Sequence, residues 1–419
     1  MNFKKILKVS FLRKRFLIFL AVFGPATITA MADNDAAGVA TYSLAGAKFG
    51  YSILFILLLV TVLLAITQEM GARIALATGK GLGDLIRERF GIKISMLVFS
   101  GLALANMGTI VANMSAIKTT STMFGLAPIP LMLLIITISY LFISKGSYKT
   151  NQNIFLISAL FYFTYVISAF KSKPDWNLAL TSIVVPKGIQ LNKEYVFGAI
   201  AVLGTTITPW GQFFVNSFIL DKKIGLSKLK FTQLETFFGA FLTDFFSFFM
   251  IVATAATLFA NKIVLISGEQ AALAIKPFAG NLAGTLFGLG MLNAGFMGIV
   301  IVSLSTAYVF TEFFGVEGSI DTPAKKGKLF YGIFLFQLLL AFAIVLLPSI
   351  SLFKIVFYTQ SLNGAILPFV FYFLLKITND KDLMGININS RWYNYFAITA
   401  SVVIVFASLF TIISTLFHF

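Results

Sequence analysis

Two aspartates interrupt the first long apolar stretch of the chain, in the order Asp33-Asn34-Asp35. A carboxylate within a membrane helix costs roughly 3 kcal/mol on insertion scales, so it persists where it lines water or meets a cation. The two side chains would point about 200° apart on a regular helix. An unwound stretch, which Gly38 would permit, could turn either carboxylate towards an ion. We predict that at least one of them binds a cation, although either could instead cap a half-helix that begins near Ala36.

A second polar interruption contains Thr205-Thr206-Ile207-Thr208-Pro209-Trp210. Pro209 has no N–H group and clashes with the preceding turn, so helical carbonyls near Thr205 and Thr206 are free to bind an ion. On its own, this motif fits an ordinary proline kink equally well. Its pairing with the first interruption favours a binding site.

Other polar residues lie deep in apolar stretches. Glu69 and Arg73 are four residues apart, which predicts an ion pair within one helix. Asn and Gln side chains in membrane helices usually hold helices together. Gln360 differs because it lies shortly before Pro368, in what we predict to be a third interrupted helix.

Several kinds of chemistry lack the necessary residues. The chain has no Cys, and its single His is His418. Disulfides, thiolate metal sites, imidazole zinc sites and Ser-His catalysis are therefore excluded. Gly79-Lys80-Gly81 does not continue as a phosphate-binding loop and predicts a helix end with a cytoplasmic turn. We expect neither an enzyme nor a bound cofactor.

The composition is that of a membrane protein. Of the 419 residues, 58% are hydrophobic and 11% are charged, whereas soluble domains contain about a quarter charged residues. A bilayer helix needs about 20 apolar residues. Eleven stretches meet this need, at 16–47, 51–78, 95–122, 128–144, 151–171, 193–220, 234–260, 282–313, 328–347, 350–377 and 391–418. We number them spans 1 to 11 and predict an all-α polytopic membrane protein.

The basic residues separate between the two sides of the membrane. The N-terminus and the loops after the even-numbered spans up to span 10 hold 22 of the 32 Lys and Arg residues. The positive-inside rule then places the N-terminus in the cytoplasm. The net charge of +16 is explained by topology, and we expect no nucleic-acid partner.

The two interruptions fall in the first spans of two five-span halves of opposite topology. Interrupted helices at matching places in two inverted halves indicate a binding site near the bilayer midplane. We predict a cytoplasmic segment 1–15 and a single transporter domain 16–419. Within that domain, repeat one covers about 16–171, repeat two about 193–377, and an extra helix 391–418.

Short motifs along the chain are familiar in combination. They are Gly24-Pro25, Ala45-Gly46-Ala47-Lys48-Phe49-Gly50-Tyr51, Ala72-Arg73-Ile74, Thr206-Ile207-Thr208-Pro209, Leu367-Pro368-Phe369 and Asp382-Leu383-Met384-Gly385. Together they make the chain resemble the NRAMP family of divalent-metal transporters over nearly its whole length. The resemblance implies the LeuT-like inverted five-plus-five repeat with spans 1 and 6 broken.

Three departures from the family pattern concern the site. The family motif Asp-Pro-Gly-Asn, which supplies two metal ligands, is replaced by Asp35-Ala36-Ala37-Gly38. Met-Pro-His is replaced by Thr208-Pro209-Trp210, so a soft thioether becomes a hard hydroxyl. The family's acidic residue on span 3, which is linked to proton movement, aligns with Asn113.

These departures resemble the NRAMP-related magnesium transporters, because Mg²⁺ prefers oxygen ligands and keeps several waters. The resemblance implies a metal site of Asp35, Thr205, Thr208 and Gln360, with Gly38 keeping the cavity open; Asp33 and Asn34 are secondary candidates. We expect Mg²⁺ and Mn²⁺ uptake by alternating access without proton coupling. The expected partners are the ion and the bilayer of a cell membrane, in particular a bacterial inner membrane, with no obligatory protein partner.

Three alternatives stay open. A proton-coupled Mn²⁺/Fe²⁺ transporter would show preference for Mn²⁺ over Mg²⁺ and proton co-transport. A sodium-coupled organic-solute symporter of the same fold would bind a substrate carboxylate at half-helix N-termini. A membrane sensor or scaffold would bind a ligand without flux.

Overall fold

The described part of the chain is helical, which confirms the predicted all-α class. The structure is a computed structural model that describes residues 17–189, 192–265, 271–347 and 352–417, and no strand occurs within these ranges. The predicted cytoplasmic segment 1–15 and His418 lie outside the described residues.

The helices follow the predicted order. The first half contains α1 (Pro25–Ala32), α2 (Ala36–Phe49), α3 (Leu54–Thr78), α4 (Leu82–Met123), α5 (Pro128–Lys145), α6 (Tyr148–Leu160) and α7 (Phe163–Lys171), followed by α8 (Trp176–Val184). The second half contains α9 (Lys193–Thr206), α10 (Pro209–Asp221), α11 (Leu229–Thr254), α12 (Ala271–Ala279), α13 (Asn281–Phe314), α14 (Lys328–Leu346) and α15 (Leu352–Thr378). Two further helices, α16 (Lys381–Met384) and α17 (Arg391–Phe417), complete the described chain. Each of the eleven predicted spans has a helical counterpart.

Two spans are broken where the sequence predicts. Residues 33–35 separate α1 from α2, and residues 207–208 separate α9 from α10. The first break is shorter than expected, because the helix resumes at Ala36 and includes Gly38. The predicted third interruption is wrong: α15 continues through Pro368, since neighbouring groups in a membrane protein can re-satisfy the backbone that proline frees.

Hydropathy missed three helical segments. Helix α4 begins at Leu82, well before predicted span 3, and bends at Gly91, where φ is 82°. This first part carries charged residues such as Asp84 and Arg87, so a hydropathy window excludes it. Helices α8 and α12 have nine residues each, too few for a span of about 20.

Seven helical stretches in the described residues are long and apolar enough to cross a bilayer. Spans 1 and 6 are not among them in full, because the breaks leave pieces of 8 to 14 residues. The same breaks that lower the apparent number of spans therefore mark the places where backbone polar groups are free.

The predicted helix end after span 2 is confirmed. Helix α3 stops at Gly79, which adopts the left-handed conformation with φ 65° and donates its N–H to the Ala75 carbonyl. A glycine at this position is the common helix-terminating residue.

The predicted ion pair between Glu69 and Arg73 is also confirmed, and it is buried. The Arg73 Nε lies 2.8 Å from Glu69 Oε1, and Arg73 also donates to the Asn387 carbonyl and to Asn389 Oδ1. Glu69 Oε1 accepts a further bond from Gln233 of α11. The pair therefore joins α3 to α11 and to the segment before α17.

The start of α1 is held by side chains from other helices. Glu235 of α11 accepts bonds from the backbone N–H groups of Gly24 and Thr27, at 2.8 and 3.0 Å. Lys222, just after α10, donates to the carbonyls of Val22 and Phe23. The buried carboxylate of Glu235, from the second five-span half, thus caps helix α1 in the first five-span half.

Gly46 permits close packing of α2 on α11. A Cβ atom at this position would lie 2.5 Å from the Ile251 carbonyl oxygen and would also clash with Thr254. We expect Gly46→Ala to lower stability by about 1–3 kcal/mol, because backbone on α11 must move. The check is the melting temperature of the purified protein, with Gly332→Ala as the control. Gly332 is an exposed helical residue with open space around it, so that change should be neutral or slightly stabilising, and equal melting temperatures for the two variants would contradict the packing explanation.

Candidate cation site

The first break is a short turn followed by one extended residue. The N–H groups of residues 33, 34 and 35 donate to the carbonyls three positions earlier, at 3.1–3.2 Å. Asp35 is extended, with ψ 175°, and its carboxylate accepts a bond from the Gly38 N–H as the N-cap of α2. The possibility that one aspartate caps the half-helix is therefore realised by Asp35.

The break needs the absence of a side chain at Gly38, although it does not need the backbone flexibility of glycine. A Cβ on this residue would lie 2.6 Å from the Asp33 carbonyl oxygen. We predicted that Gly38 permits the unwound stretch, but Gly38 lies inside helix α2. What the break requires is the space left by its missing side chain.

The second break also interrupts the hydrogen-bond pattern of a helix. Helix α9 ends at Thr206, Thr208 is extended, and Pro209 is the first residue of α10. A regular helix would pair the Thr205 carbonyl with the N–H of residue 209, which proline lacks. Thr205 and Thr208 are both buried, with 3% and 7% of their surface exposed.

Asp33 links the two breaks. Its Oδ1 accepts a bond of 2.9 Å from the Thr208 hydroxyl, and its Oδ2 accepts one of 3.0 Å from the Gln68 amide of α3. Three elements that are far apart in sequence therefore meet at one carboxylate.

Asp35 is directed to a different helix. Its Oδ2 accepts a 2.8 Å bond from the Asn113 amide of α4, while Asn113 Oδ1 accepts the Ala36 N–H at 2.8 Å. Asn113 also donates to the Thr109 carbonyl, so its amide is fixed in one orientation. Asn113 acts as a donor towards Asp35, which a carboxylate at this position could not do when ionised.

The two aspartates have no cationic partner among the described residues. None of the ion pairs found there includes Asp33 or Asp35, although both side chains are at most 4% exposed. The two carboxyl groups are close enough to repel each other. Two buried, uncompensated carboxylates are costly unless a cation joins them.

Two buried glutamines near the breaks have amide atoms without hydrogen-bond partners. Gln68 Oε1 and both amide atoms of Gln212 on α10 have no hydrogen-bond partner, and both residues are fully buried. Gln212 lies one turn after Thr208, against Gly71 of α3. Buried polar atoms of native proteins normally have partners, so these atoms are free to bind an ion or the waters around it.

The remaining predicted site residues lie in different surroundings. The Asn34 side chain bonds to α11, donating to the Thr243 carbonyl and accepting from Ser247. Gln360 lies in α15, but its side chain is outside the described part of the structure. Within the described residues, no three Asp, Glu, His or Cys side chains converge on one point, so the centre differs from a cage of acidic or imidazole ligands.

Among Gln68, Gln212 and Asn113, the sequence singles out only Asn113, as an aligned position; the two glutamines are among the polar residues that lie deep in apolar stretches. The available signal was their presence in long apolar spans, but that signal equally fits helix contacts. Which amides meet the breaks depends on how α3, α4 and α10 pack, and this is long-range information.

Comparison with known proteins decides the family. The sequence profile of the natural resistance-associated macrophage protein-like (Nramp) family matches residues 26–414. The chain belongs to the Nramp family. Its members are transporters, and this confirms that the protein is a transporter and not an enzyme.

Relatives of this Nramp protein share low identity over nearly full length. The divalent metal cation transporter MntH of Yersinia enterocolitica is 27% identical, covering 89% of this chain and 90% of the relative. MntH of Levilactobacillus brevis is 23% identical, covering 94% and 88%.

The fold of this Nramp protein matches solved structures. The manganese transporter of Eremococcus coleocola, in complex with an aromatic bis-isothiourea substituted compound, aligns with a TM-score of 0.77 at 16% identity, covering 94% of this chain and 86% of that one. Mhp1, a nucleobase-cation-symport-1 family transporter, aligns with a TM-score of 0.59 at 15% identity, covering 93% and 90%. The predicted inverted five-plus-five repeat is thereby confirmed.

Proposed function

We propose that this Nramp protein moves Mg²⁺, and also Mn²⁺, into the cell by alternating access and without proton coupling. Family membership makes it a divalent metal cation transporter with several membrane spans. The choice of Mg²⁺, the absence of proton coupling, the direction of transport and the magnesium-transporter subtype are the parts that we propose.

The observation that carries the proposal is the pair of buried carboxylates at the break between α1 and α2. When ionised, Asp33 and Asp35 carry two negative charges with no Lys or Arg partner in the described residues. A single divalent cation balances this charge. We assign Asp35 as the main ligand and Asp33 as the carboxylate that connects the ion to Thr208.

The neighbouring groups favour a hard cation that keeps some of its water. Thr208 offers a hydroxyl, Thr205 a carbonyl, and Gln68 and Gln212 offer amides with unpartnered atoms. Mg²⁺ dehydrates reluctantly and is usually bound through a few carboxylates with several waters retained. We propose that Gln360 contributes from α15 and that Gly38 leaves the required space. Asn34 is less suited, because its amide is already bonded to α11.

Two features support transport without proton coupling. At the position of the family's span-3 acid, Asn113 donates to Asp35 and carries no titratable group. At the position of the family's histidine, Trp210 is fully buried and cannot exchange a proton near neutral pH. The membrane potential can drive uptake instead: at about 2.3 kcal/mol per charge per 100 mV, a divalent ion gains about 4.6 kcal/mol.

The test is metal influx into proteoliposomes with a Mg²⁺-sensitive dye inside, a set membrane potential and a parallel pH probe. Saturable Mg²⁺ entry that grows with an inside-negative potential and leaves the internal pH unchanged is the expected result. Mn²⁺ entry with protons and no Mg²⁺ flux would instead identify a proton-coupled Mn²⁺/Fe²⁺ transporter.

Thr208→Met should shift selectivity towards softer metals. A thioether prefers transition metals to Mg²⁺, and the variant also removes the hydroxyl that donates to Asp33. We expect the ratio of Mn²⁺ to Mg²⁺ influx to rise by about tenfold, which corresponds to about 1.4 kcal/mol. Thr208→Ser keeps the hydroxyl and serves as the control, with a ratio close to that of the unmodified protein. An unchanged ratio of Mn²⁺ to Mg²⁺ influx in Thr208→Met would show that Thr208 does not bind the ion.

A further inference from the structure

A third buried carboxylate lies beside the break and has no role in the proposed metal site. Asp244 of α11 is 4% exposed, and its Oδ2 has no hydrogen-bond partner. Its Oδ1 lies 3.5 Å from the Ser247 hydroxyl, which is long for a hydrogen bond between oxygens. No ion pair among the described residues includes Asp244.

The hydroxyl groups around Asp244 also donate to other acceptors. Ser247 donates to Asn34 Oδ1 at 2.8 Å, and Thr61, next to the Asp244 carboxyl, donates to the Leu57 carbonyl at 2.8 Å. Each hydroxyl has a single hydrogen. The Asp244 carboxylate therefore shares the hydrogens of Ser247 and Thr61 with these other acceptors, and its Oδ2 has no donor.

Tyr42 follows the same pattern. Its hydroxyl lies 2.6 Å from Thr206 Oγ1, and Thr206 itself donates to the Val202 carbonyl at 2.8 Å. Tyr42 must therefore donate to Thr206, so its hydroxyl has no hydrogen left for the nearby Ser247 and Asp244 and can offer them only its oxygen. Tyr42, Thr206 and Ser247 are fully buried.

A cation is the partner that a group of oxygens short of hydrogen-bond donors would bind. Two oxygens that bind one ion at about 2.4 Å and at right angles are about 3.4 Å apart, close to the separation of Asp244 Oδ1 and Ser247 Oγ. The ligands are one carboxylate and neutral oxygens, which matches a single positive charge and a hard ion. We infer that Asp244, Ser247, Tyr42 and Thr61 form a second cation site that binds an alkali ion such as Na⁺.

This second site is connected to the first through the break itself. Asn34 lies between Asp33 and Asp35 in sequence, and its side chain bonds to Thr243 and Ser247 on α11. Asp244 is also close enough to Asp33 to act on it electrostatically. An ion bound at Asp244 therefore offsets the charge that Asp33 experiences and fixes the position of Asn34.

The experiment is equilibrium binding of radioactive Na⁺ to the purified full-length protein without divalent metal. We expect saturable binding, which Asp244→Asn weakens by about tenfold or more because a charged ligand is lost. Ser247→Ala and Tyr42→Phe each remove one neutral ligand and should weaken binding by a smaller factor. Asp35→Asn, at the other site, should leave Na⁺ binding in place.

The outcomes separate this inference from the proposed function. Absence of saturable Na⁺ binding, or equal binding by Asp244→Asn and the unmodified protein, would overturn the second site whatever the Mg²⁺ influx. Na⁺ binding that depends on Asp244 would support the site even if Mg²⁺ influx were absent. If Asp244→Asn does not purify as a folded protein, Ser247→Ala and Tyr42→Phe provide the decision: unchanged Na⁺ affinity in both would reject the site.

Discussion

Asp35→Asn should reduce divalent-metal influx by about 10- to 100-fold in a protein that remains folded. Asparagine is as good an N-cap as aspartate, so it can still accept the Gly38 N–H through its remaining oxygen. The substitution removes the charge, and contacts of charged groups are worth about 1.5–3 kcal/mol, with about 1.4 kcal/mol for each factor of ten. The measurement is the initial rate of metal entry into proteoliposomes, together with the melting temperature of each variant.

Matched variants distinguish the role of Asp35 as a ligand from its role as a cap. Asp382→Asn removes a carboxylate from an exposed position after α15 and should leave influx unchanged. Normal influx in Asp35→Asn with a large loss in Asp33→Asn would transfer the main ligand role to Asp33. Normal influx in both variants would show that the ion does not bind at this break.

Arg73→Met should destabilise the protein by about 3–5 kcal/mol. The change leaves Glu69 buried, at 1% exposure, with Gln233 as its remaining side-chain partner in the network described above. Removing one member of a buried ion pair is costly because the other charge stays behind without compensation. We expect a clear fall in the melting temperature of the purified protein.

Two controls test this explanation. The double variant Glu69→Gln with Arg73→Met removes both charges and should recover much of the lost stability, since no unpaired charge remains. Lys80→Met breaks an ion pair between exposed side chains, since Lys80 is 48% and Glu88 is 41% exposed. This variant should lose about 0–1 kcal/mol of stability. A double variant as unstable as Arg73→Met alone would mean that the lost packing of Arg73, and not the charge of Glu69, causes the effect.

The helical architecture could be predicted from the sequence because a bilayer imposes a simple rule. Apolar length determines each span, and Asp33-Asn34-Asp35 and Thr208-Pro209 violate that rule where the helices break. The pairing of Glu69 with Arg73 was predictable because it depends only on helical spacing. Pro368 misled the prediction, because whether a membrane helix tolerates proline depends on its neighbours and not on local sequence.

The partners in the site could not be predicted in the same way. Asp33 and Asp35 are two residues apart, yet one meets Thr208 and Gln68 and the other meets Asn113. The choice is set by three helices whose relative rotation the sequence does not encode locally. The sequence does not distinguish Asp244 from other polar residues at depth, since its shortage of hydrogen-bond donors depends on how separate hydroxyl groups share their hydrogens.

The capping of α1 by Glu235 limits how this transporter can change shape. Two backbone amides of the first half-helix depend on a carboxylate of α11, so any swing of α1 away from α11 exposes three polar groups at once. Either α1 and α11 move together as one rigid body, or water must enter the interface between them when they separate. Hydration of that interface would then be a separate step of the transport cycle, with its own rate.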